Sequence, residues 1–272
     1  MWVRSVTEDR SVMESYVRQI SSRMFGRQSA YLPYRDQVVV RPVGMIVEDL
    51  CRLKDLDWAR YAFSREPLNG KFDDAQRMQL TQKALDTGTE VADSCIARHG
   101  TKDPFAIAKA LGLWVSHPYK PQDAGRVLFA EFCPPKQVNI FMDAINRADD
   151  LMPEPGVRAA LGDIHIPSIL LAHELFHVEE EKQRGEIWTK AYNIELWRIG
   201  PLRNRSRVSV LSEIAAMGFS RRLNDLAYSP YVMDAFLVYG YSADTASRLY
   251  EEMMGLAGKE PRVPSQGESD PQ

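Results

Sequence analysis

The sequence reads IPSILLAHELFHV from residue 166 to residue 178. Placed on a helix, this stretch is apolar on every side apart from Ser168, His173, Glu174 and His177. A helix that is apolar all round is buried in the core of a protein. A buried carboxylate without a partner costs several kcal/mol, so Glu174 requires a metal, a proton or an ion partner inside that core.

The two histidines of this stretch have the spacing of a zinc-binding pair. His173 and His177 stand one helical turn apart on one face, so both imidazoles can reach one tetrahedral Zn²⁺. Glu174 projects roughly 100° round the helix from His173, which leaves it free to hold a water molecule beside the metal. A chance HExxH pattern in a chain of this length is roughly a one-in-a-hundred event. The pattern therefore predicts zinc, with Glu174 as general base.

A catalytic zinc site needs a third protein ligand. No histidine follows His177, so the metzincin pattern, with its third histidine six residues later, is excluded. The remaining possibilities are a carboxylate or an upstream histidine: Glu213, Glu195, Glu186, His99, His117 and His165.

Glu213 is the preferred third ligand. It lies opposite the main apolar stripe of a helix predicted over residues 208–226, among small or uncharged neighbours that include Ala216 and Met217. That pattern is typical of a second packed face, whereas the alternative is an ordinary exposed glutamate. The run 179–181 directly follows the motif and is interpreted as a solvated helix end.

Periodicity and turn residues predict an α+β fold that is mostly helical with a small antiparallel sheet. Helices are expected over residues 73–100, 103–112, 167–183, 186–199, 208–226 and 243–256, and strands over 113–115, 126–132 and 137–141. Residues 143–163 are expected to form a polar loop. Residues 1–73 are expected to form an extension with helices over 12–24 and 47–63 and a short strand over 37–40. The polar, proline-containing tail 258–272 is expected to be disordered.

Composition narrows the class of protein. The 272 residues are 44% hydrophobic and carry a net charge of −3, so no general affinity for nucleic acid is expected, and Arg203, Arg205 and Arg207 are interpreted as a solvated loop. The three cysteines stand far apart, which favours a reduced, cytoplasmic protein. No signal peptide or membrane span is predicted.

Three stretches, in this order, resemble the ImmA/IrrE family of metallopeptidases: residues 103–113 (DPFAIAKALGL), 172–177 (AHELFH) and 213–219 (EIAAMGF). The resemblance covers about residues 74–226. It implies a zincin-like core in which a short sheet packs on helices, with zinc bound by His173, His177 and Glu213 and with Glu174 catalytic. Residues 227–257 would then be a C-terminal helical segment.

The resemblance also implies a function. Members of this family are zinc metalloendopeptidases that cleave a helix-turn-helix repressor, which relieves repression of transcription in mobile elements or stress responses. Phe176 replaces the usual glycine of the motif, Leu170 replaces a common threonine, and Met217 replaces the usual asparagine. These departures leave open an alternative, a zinc-binding regulatory protein of the same fold without turnover.

A peptidase of this kind also needs a donor for the oxyanion. The sequence does not choose among four candidates: Tyr192, Tyr228, Tyr231 and His165.

Overall fold

The computed structural model describes residues 38–119 and 129–264. The helix predicted over residues 12–24 lies outside the described residues. Residues 38–40, which are the described part of the strand predicted over 37–40, form neither helix nor strand.

The helices are, in chain order, α1 (Val43–Cys51), α2 (Ala59–Ser64), α3 (Asp74–His99), α4 (Pro104–Ala110), α5 (Met142–Asp149), α6 (Val157–Leu161), α7 (Ile166–Lys182), α8 (Trp188–Ala191), α9 (Val210–Leu223), α10 (Val232–Tyr239) and α11 (Ala243–Leu256). The strands are β1 (Trp114–Ser116), β2 (Ala130–Cys133), β3 (Gln137–Ile140), β4 (Asn193–Ile199) and β5 (Leu202–Arg207). The fold class is α+β, as predicted.

Local capping sets the bounds of α3 and α4. The Asp73 carboxylate accepts the Gln76 amide at 2.8 Å, and the Gln76 side chain accepts the Asp73 amide at 3.0 Å, which is a capping box. Gly100 ends α3 in the left-handed region at φ 67°. Asp103 caps α4 by accepting the Phe105 amide at 2.9 Å. Both helices therefore begin and end where the sequence predicts.

A three-stranded sheet lies beside these helices, with β3 at its centre. β2 and β3 form an antiparallel hairpin, as predicted. β1 pairs with the other edge of β3 and runs parallel to it, with Val115 opposite Val138. The free edge of β2 faces α7.

Close approach of α3 and α9 depends on two glycines. A Cβ atom at Gly88 would lie 1.9 Å from the carbonyl oxygen of Ala215, and one at Gly218 would lie 2.7 Å from that of Leu85. Both distances are too short for any side chain, so α9 lies with its backbone against α3. On the side facing α7, the hydroxyl of Ser220 donates to the carbonyl of Ile169 at 2.8 Å. These contacts fix α9 relative to the motif helix.

The prediction of a helix over residues 186–199 is wrong. Only the short α8 forms, and residues 193–199 become β4, which pairs with β5 in an antiparallel hairpin. Gly200 and Pro201 form the turn that joins the two strands. The β-forming side chains on either side of that turn then pair across the strands. The arginines interpreted as a solvated loop therefore lie on strand β5.

The prediction of a polar loop over residues 143–163 is also wrong, because these residues include most of α5 and all of α6. Ala144, Ile145 and Ala148 are fully or almost fully buried and give α5 a short apolar face. Pro153 and Pro155 lie between the two helices rather than marking a single long loop. α10 lies within residues 227–257, the expected helical segment, and is a helix separate from α11.

One hydrophobic core joins the described part of residues 38–73, the central region and the C-terminal helices. Across it, the hydroxyl of Tyr61 in α2 donates to the Asp234 carboxylate in α10 at 2.7 Å. The described chain therefore shows no break in the core at residue 73 or residue 226.

Residues 258–264, the beginning of the tail expected to be disordered, are held against this core. The guanidinium of Arg262 donates to Asp49 at 2.8 Å, and its amide donates to the Tyr250 hydroxyl at 3.0 Å. Residues 265–272 lie outside the described residues.

Within the described ranges, none of the helices has both the length and the apolar character needed to cross a membrane.

Candidate metal centre

Helices α7 and α9 bring together three side chains with metal-binding atoms. One ligand atom each from His173, His177 and Glu213 lies within 4.8 Å of the other two. His173 is 4% exposed, and the Glu213 side chain is 20% exposed. The cluster is therefore recessed below the surface, with Glu213 at its more open side.

The distances within the cluster fit zinc. Nε2 of His173 lies 3.3 Å from Nε2 of His177 and 3.3 Å from Oε2 of Glu213. Nε2 of His177 lies 3.7 Å from the same Oε2. Ligand atoms about 2.1 Å from a tetrahedral zinc ion lie about 3.4 Å from one another. These three atoms therefore form one face of a tetrahedron of the correct size.

The charges around the cluster also favour a cation. Burial opposes ionisation of Glu213, but His177 and His173 outweigh it and hold the pKa of Glu213 below its usual range. Burial likewise opposes protonation of His177, yet the carboxylates of Glu213 and Glu180 raise its pKa well above the usual value. Positive charge is thus stabilised between these groups.

The second ring nitrogen of His177 is held by a network of side chains that was not predicted from the sequence. Its Nδ1 lies 3.3 Å from the hydroxyl of Ser212 and 3.7 Å from Oε2 of Glu180. Ser212 donates to that same carboxylate at 2.7 Å, and so does Thr189, at 2.5 Å. Lys190 lies 3.0 Å from it. Such partners fix the orientation of a metal-binding imidazole.

The interpretation of residues 179–181 as a solvated helix end is wrong for two of the three. Glu179 and Glu180 are each 1% exposed. Glu179 lies 3.0 Å from Arg98 and 2.8 Å from Lys182, and these ion pairs keep its pKa below the usual value although burial opposes this. His177 and Lys190 likewise lower the pKa of Glu180 to about 2 against the effect of burial. The sequence did contain a signal, since Glu180 follows His177 by three residues and so shares its helix face.

Glu174 lies beside the cluster with one carboxylate oxygen bound and the other free. Its Oε2 accepts the amide of Phe132 from the free edge of β2 at 2.8 Å. Its Oε1 is buried and has no hydrogen-bond partner among the described residues. Burial raises the pKa of Glu174, although the two histidines oppose this. A buried carboxylate with a free oxygen and a raised pKa can accept and release a proton.

Phe176, which stands where the resembled family has glycine, fills a space in the core. It is fully buried and packs edge-to-face on Phe219, with the ring centres 5.9 Å apart. Its ring also contacts that of His177, at 5.8 Å. Leu170 is buried and Met217 packs partly buried against the same core. The three side chains that differ from those of the resembled family therefore pack in the core next to the cluster.

The competing third ligands lie elsewhere. Glu186 is exposed, and Glu195 is exposed on β4, 4.0 Å from Arg203. His165 is exposed at the beginning of α7, where its Nδ1 lies 2.8 Å from the Ser168 hydroxyl. Neither they nor the remaining upstream histidines, His99 and His117, join a metal-ligand group in the described part of the chain.

The four oxyanion candidates differ in their surroundings. Tyr228 donates to the carbonyl of Leu161 at 3.1 Å, and Tyr192 packs on Trp188. The hydroxyl of Tyr231 is buried and has no partner among the described residues. Burial raises the pKa of Tyr231, and the charges of Asp234 and Glu213 raise it further. The pKa of Tyr231 is therefore raised by the charge of a cluster residue, Glu213.

Comparisons with protein-family models, with curated proteins and with solved structures return no match for this chain.

Proposed function

We propose that this protein is a zinc-dependent metalloendopeptidase with His173, His177 and Glu213 as metal ligands and Glu174 as general base. The observation that carries the proposal is the convergence of the three ligand atoms, at edges of 3.3, 3.3 and 3.7 Å, beside a buried carboxylate with one free oxygen. A structural zinc site has four protein ligands, whereas a catalytic site has three and an open position.

Zinc in such a site supplies a Lewis acid that polarises a peptide carbonyl and acidifies a water molecule. Glu174 performs the proton transfers. Its Oε2 is held by the Phe132 amide, so Oε1 is oriented and free to take the proton of the attacking water and to pass it to the leaving amine. Its raised pKa favours the first of these transfers, because a carboxylate with a raised pKa is a stronger base. Tyr231 is the candidate donor to the oxyanion.

The substrate class rests on the resemblance to the ImmA/IrrE family. We propose site-specific cleavage of a protein, such as a helix-turn-helix repressor, with an effect on transcription. The three cysteines are free thiols, which supports action in a reducing compartment such as the cytoplasm.

The first experiment measures zinc by elemental analysis in the wild type and in two variants. We expect about one zinc ion per chain in the wild type and in Glu195→Ala, and a much reduced content in Glu213→Ala. Glu195→Ala is the matched control, because it removes the competing carboxylate from an exposed strand. Retention of zinc by Glu213→Ala would contradict the ligand set.

The second experiment separates catalysis from metal binding. Glu174→Gln should retain zinc but lose cleavage of a quenched-fluorescent peptide library by about 10²–10⁴-fold. A wild type that holds zinc and cleaves neither the library nor a co-expressed repressor would favour the alternative, a regulatory zinc protein without turnover.

A further inference from the structure

The hairpin of β4 and β5, residues 193–207, has two chemically different faces. A β-bulge between Glu195 and Trp197 shifts the alternation of side chains by one residue. Residues opposite each other across an antiparallel pair share a face. The register therefore places Asn193, Glu195, Arg198, Arg203, Arg205 and Arg207 on one face. The other face, called the apolar face, carries Ile194, Trp197, Ile199 and Leu202 together with the uncharged Asn204 and Ser206.

The charged face is strongly cationic in a chain whose net charge is −3. Arg203 lies 4.0 Å from Glu195, the one carboxylate on this face. Arg198, Arg205 and Arg207 have no carboxylate within salt-bridge distance among the described residues. This face therefore has positive charge available for an acidic partner.

The apolar face is exposed towards the tip of the hairpin. Trp197, Ile199 and Leu202 are 48%, 69% and 66% exposed. In the described sheets, β4 and β5 pair only with each other, so both outer edges leave backbone N–H and C=O groups unpaired. A two-stranded hairpin of this kind can accept a third strand.

The base of the hairpin is fixed beside the candidate metal centre. Thr189 in α8, which precedes β4, and Ser212 in α9, which follows β5, both donate to Glu180, and Ser212 also contacts His177. One end of a polypeptide bound along the hairpin would therefore lie near the ligand cluster.

We propose that this hairpin binds an extended segment of the substrate protein in which acidic and apolar residues alternate. Added as a third strand, such a segment would direct its carboxylates towards the arginine face and its apolar side chains towards Trp197, Ile199 and Leu202. A nucleic acid would neutralise the arginines and leave the apolar face in water. A membrane surface would cover the apolar face and leave the arginines on the opposite side. An added strand contacts both faces at once.

The inference rests on the proposed function in naming the partner as substrate, so the experiment measures binding without cleavage. The zinc-loaded, full-length Glu174→Gln variant is titrated into a fluorescein-labelled peptide of alternating glutamate and valine. Anisotropy should show binding that weakens with added salt. A peptide of alternating lysine and valine, and one with the glutamates and valines in separate blocks, should bind about tenfold more weakly or not at all.

Substitutions in the hairpin test both faces. Arg203→Ser combined with Arg205→Ser, and separately Trp197→Ser, should each weaken binding of the alternating peptide about tenfold. Arg52→Ser is the matched control, because Arg52 is 67% exposed on another part of the surface, and it should bind as the parent does. All these positions are exposed, and circular dichroism verifies that the variants are folded.

Three results would overturn the inference: hairpin variants that bind like the parent, equal binding of the alternating and block peptides, or tighter binding of a DNA duplex or of phosphatidylserine vesicles than of the acidic peptide. Peptide binding by the parent together with absence of cleavage by the wild type would support the hairpin site while contradicting the peptidase proposal.

Discussion

Oε2 of Glu180 lies 3.7 Å from Nδ1 of His177, while Nε2 of the same imidazole faces His173 and Glu213. The two nitrogens of His177 thus face different groups. Nε2 faces the ligand cluster, and Nδ1 faces the buried carboxylate of Glu180, which is held by Ser212, Thr189 and Lys190.

Glu180→Gln should lower zinc affinity about 10–100-fold, because the carboxylate orients His177 and strengthens it as a ligand. Affinity is measured by competition with a chromogenic chelator. Glu181→Gln is the matched control, since Glu181 is the next residue on α7 and its side chain is 45% exposed. Equal affinities for the two variants would show that Glu180 has no part in holding the histidine.

Gly88→Ala should destabilise the protein by on the order of 1–3 kcal/mol, because the new Cβ overlaps the carbonyl oxygen of Ala215 and separates α3 from α9. Zinc affinity should fall with it, since α9 carries Glu213. Urea denaturation measures the first effect. Gly255→Ala in α11, where a Cβ meets no atom within 4 Å, should instead stabilise by about 0.5–1 kcal/mol. A change in stability of the same sign for both variants would contradict the proposed close packing of α3 on α9.

Phe176→Ala should cost about 3–5 kcal/mol in the free energy of unfolding, because it removes a fully buried ring from its contact with Phe219. Tyr119→Ala removes an aromatic side chain that is 64% exposed and should change stability by less than about 0.5 kcal/mol. A small effect at Phe176 would mean that the glycine of the resembled family fits here equally well.

Asp234 predicts a pH dependence of stability in the metal-free protein. Burial raises its pKa from 3.8 to about 6, although Arg65 and the Tyr61 hydroxyl oppose this. Ionisation of Asp234 is therefore less favourable in the folded state. Its contribution to stability is complete below about pH 4 and is lost as the pH rises through about 6.

Asp234→Asn retains an acceptor for Tyr61 and cannot ionise. The stability of the wild type relative to this variant should therefore decline between pH 4.5 and pH 7.5, by on the order of 1–3 kcal/mol. Denaturant unfolding with a chelator present measures the difference in the free energy of unfolding. The contributions of carboxylates that are common to both proteins cancel in this difference. A difference independent of pH would contradict the raised pKa.

Local sequence was sufficient to predict much of this structure. The bounds of α3, α4, α7 and α11 follow from capping residues and helical periodicity, and the HExxH spacing placed two histidines on one face. Glu213 was preferred because its helix showed a second uncharged face, and in the structure it lies beside those histidines. These predictions rest on residues within a few turns of one another, where spacing determines geometry, whereas the position of Glu213 beside the histidines depends on the packing of α9 against α7.

The tertiary structure decided the features that depend on contacts between distant segments. Residues 193–199 are apolar enough for a buried helix, and only pairing with residues 202–207 made them a strand. Glu179 and Glu180 resemble a solvated helix end in sequence. Besides partners on their own helix, they gain partners from other segments, namely Arg98, Thr189, Lys190 and Ser212, which make burial of their charges possible. The sequence by itself therefore determined the composition of the ligand face, whereas tertiary packing decided which carboxylates surround it, because a buried charge is tolerated only where the fold supplies its partners.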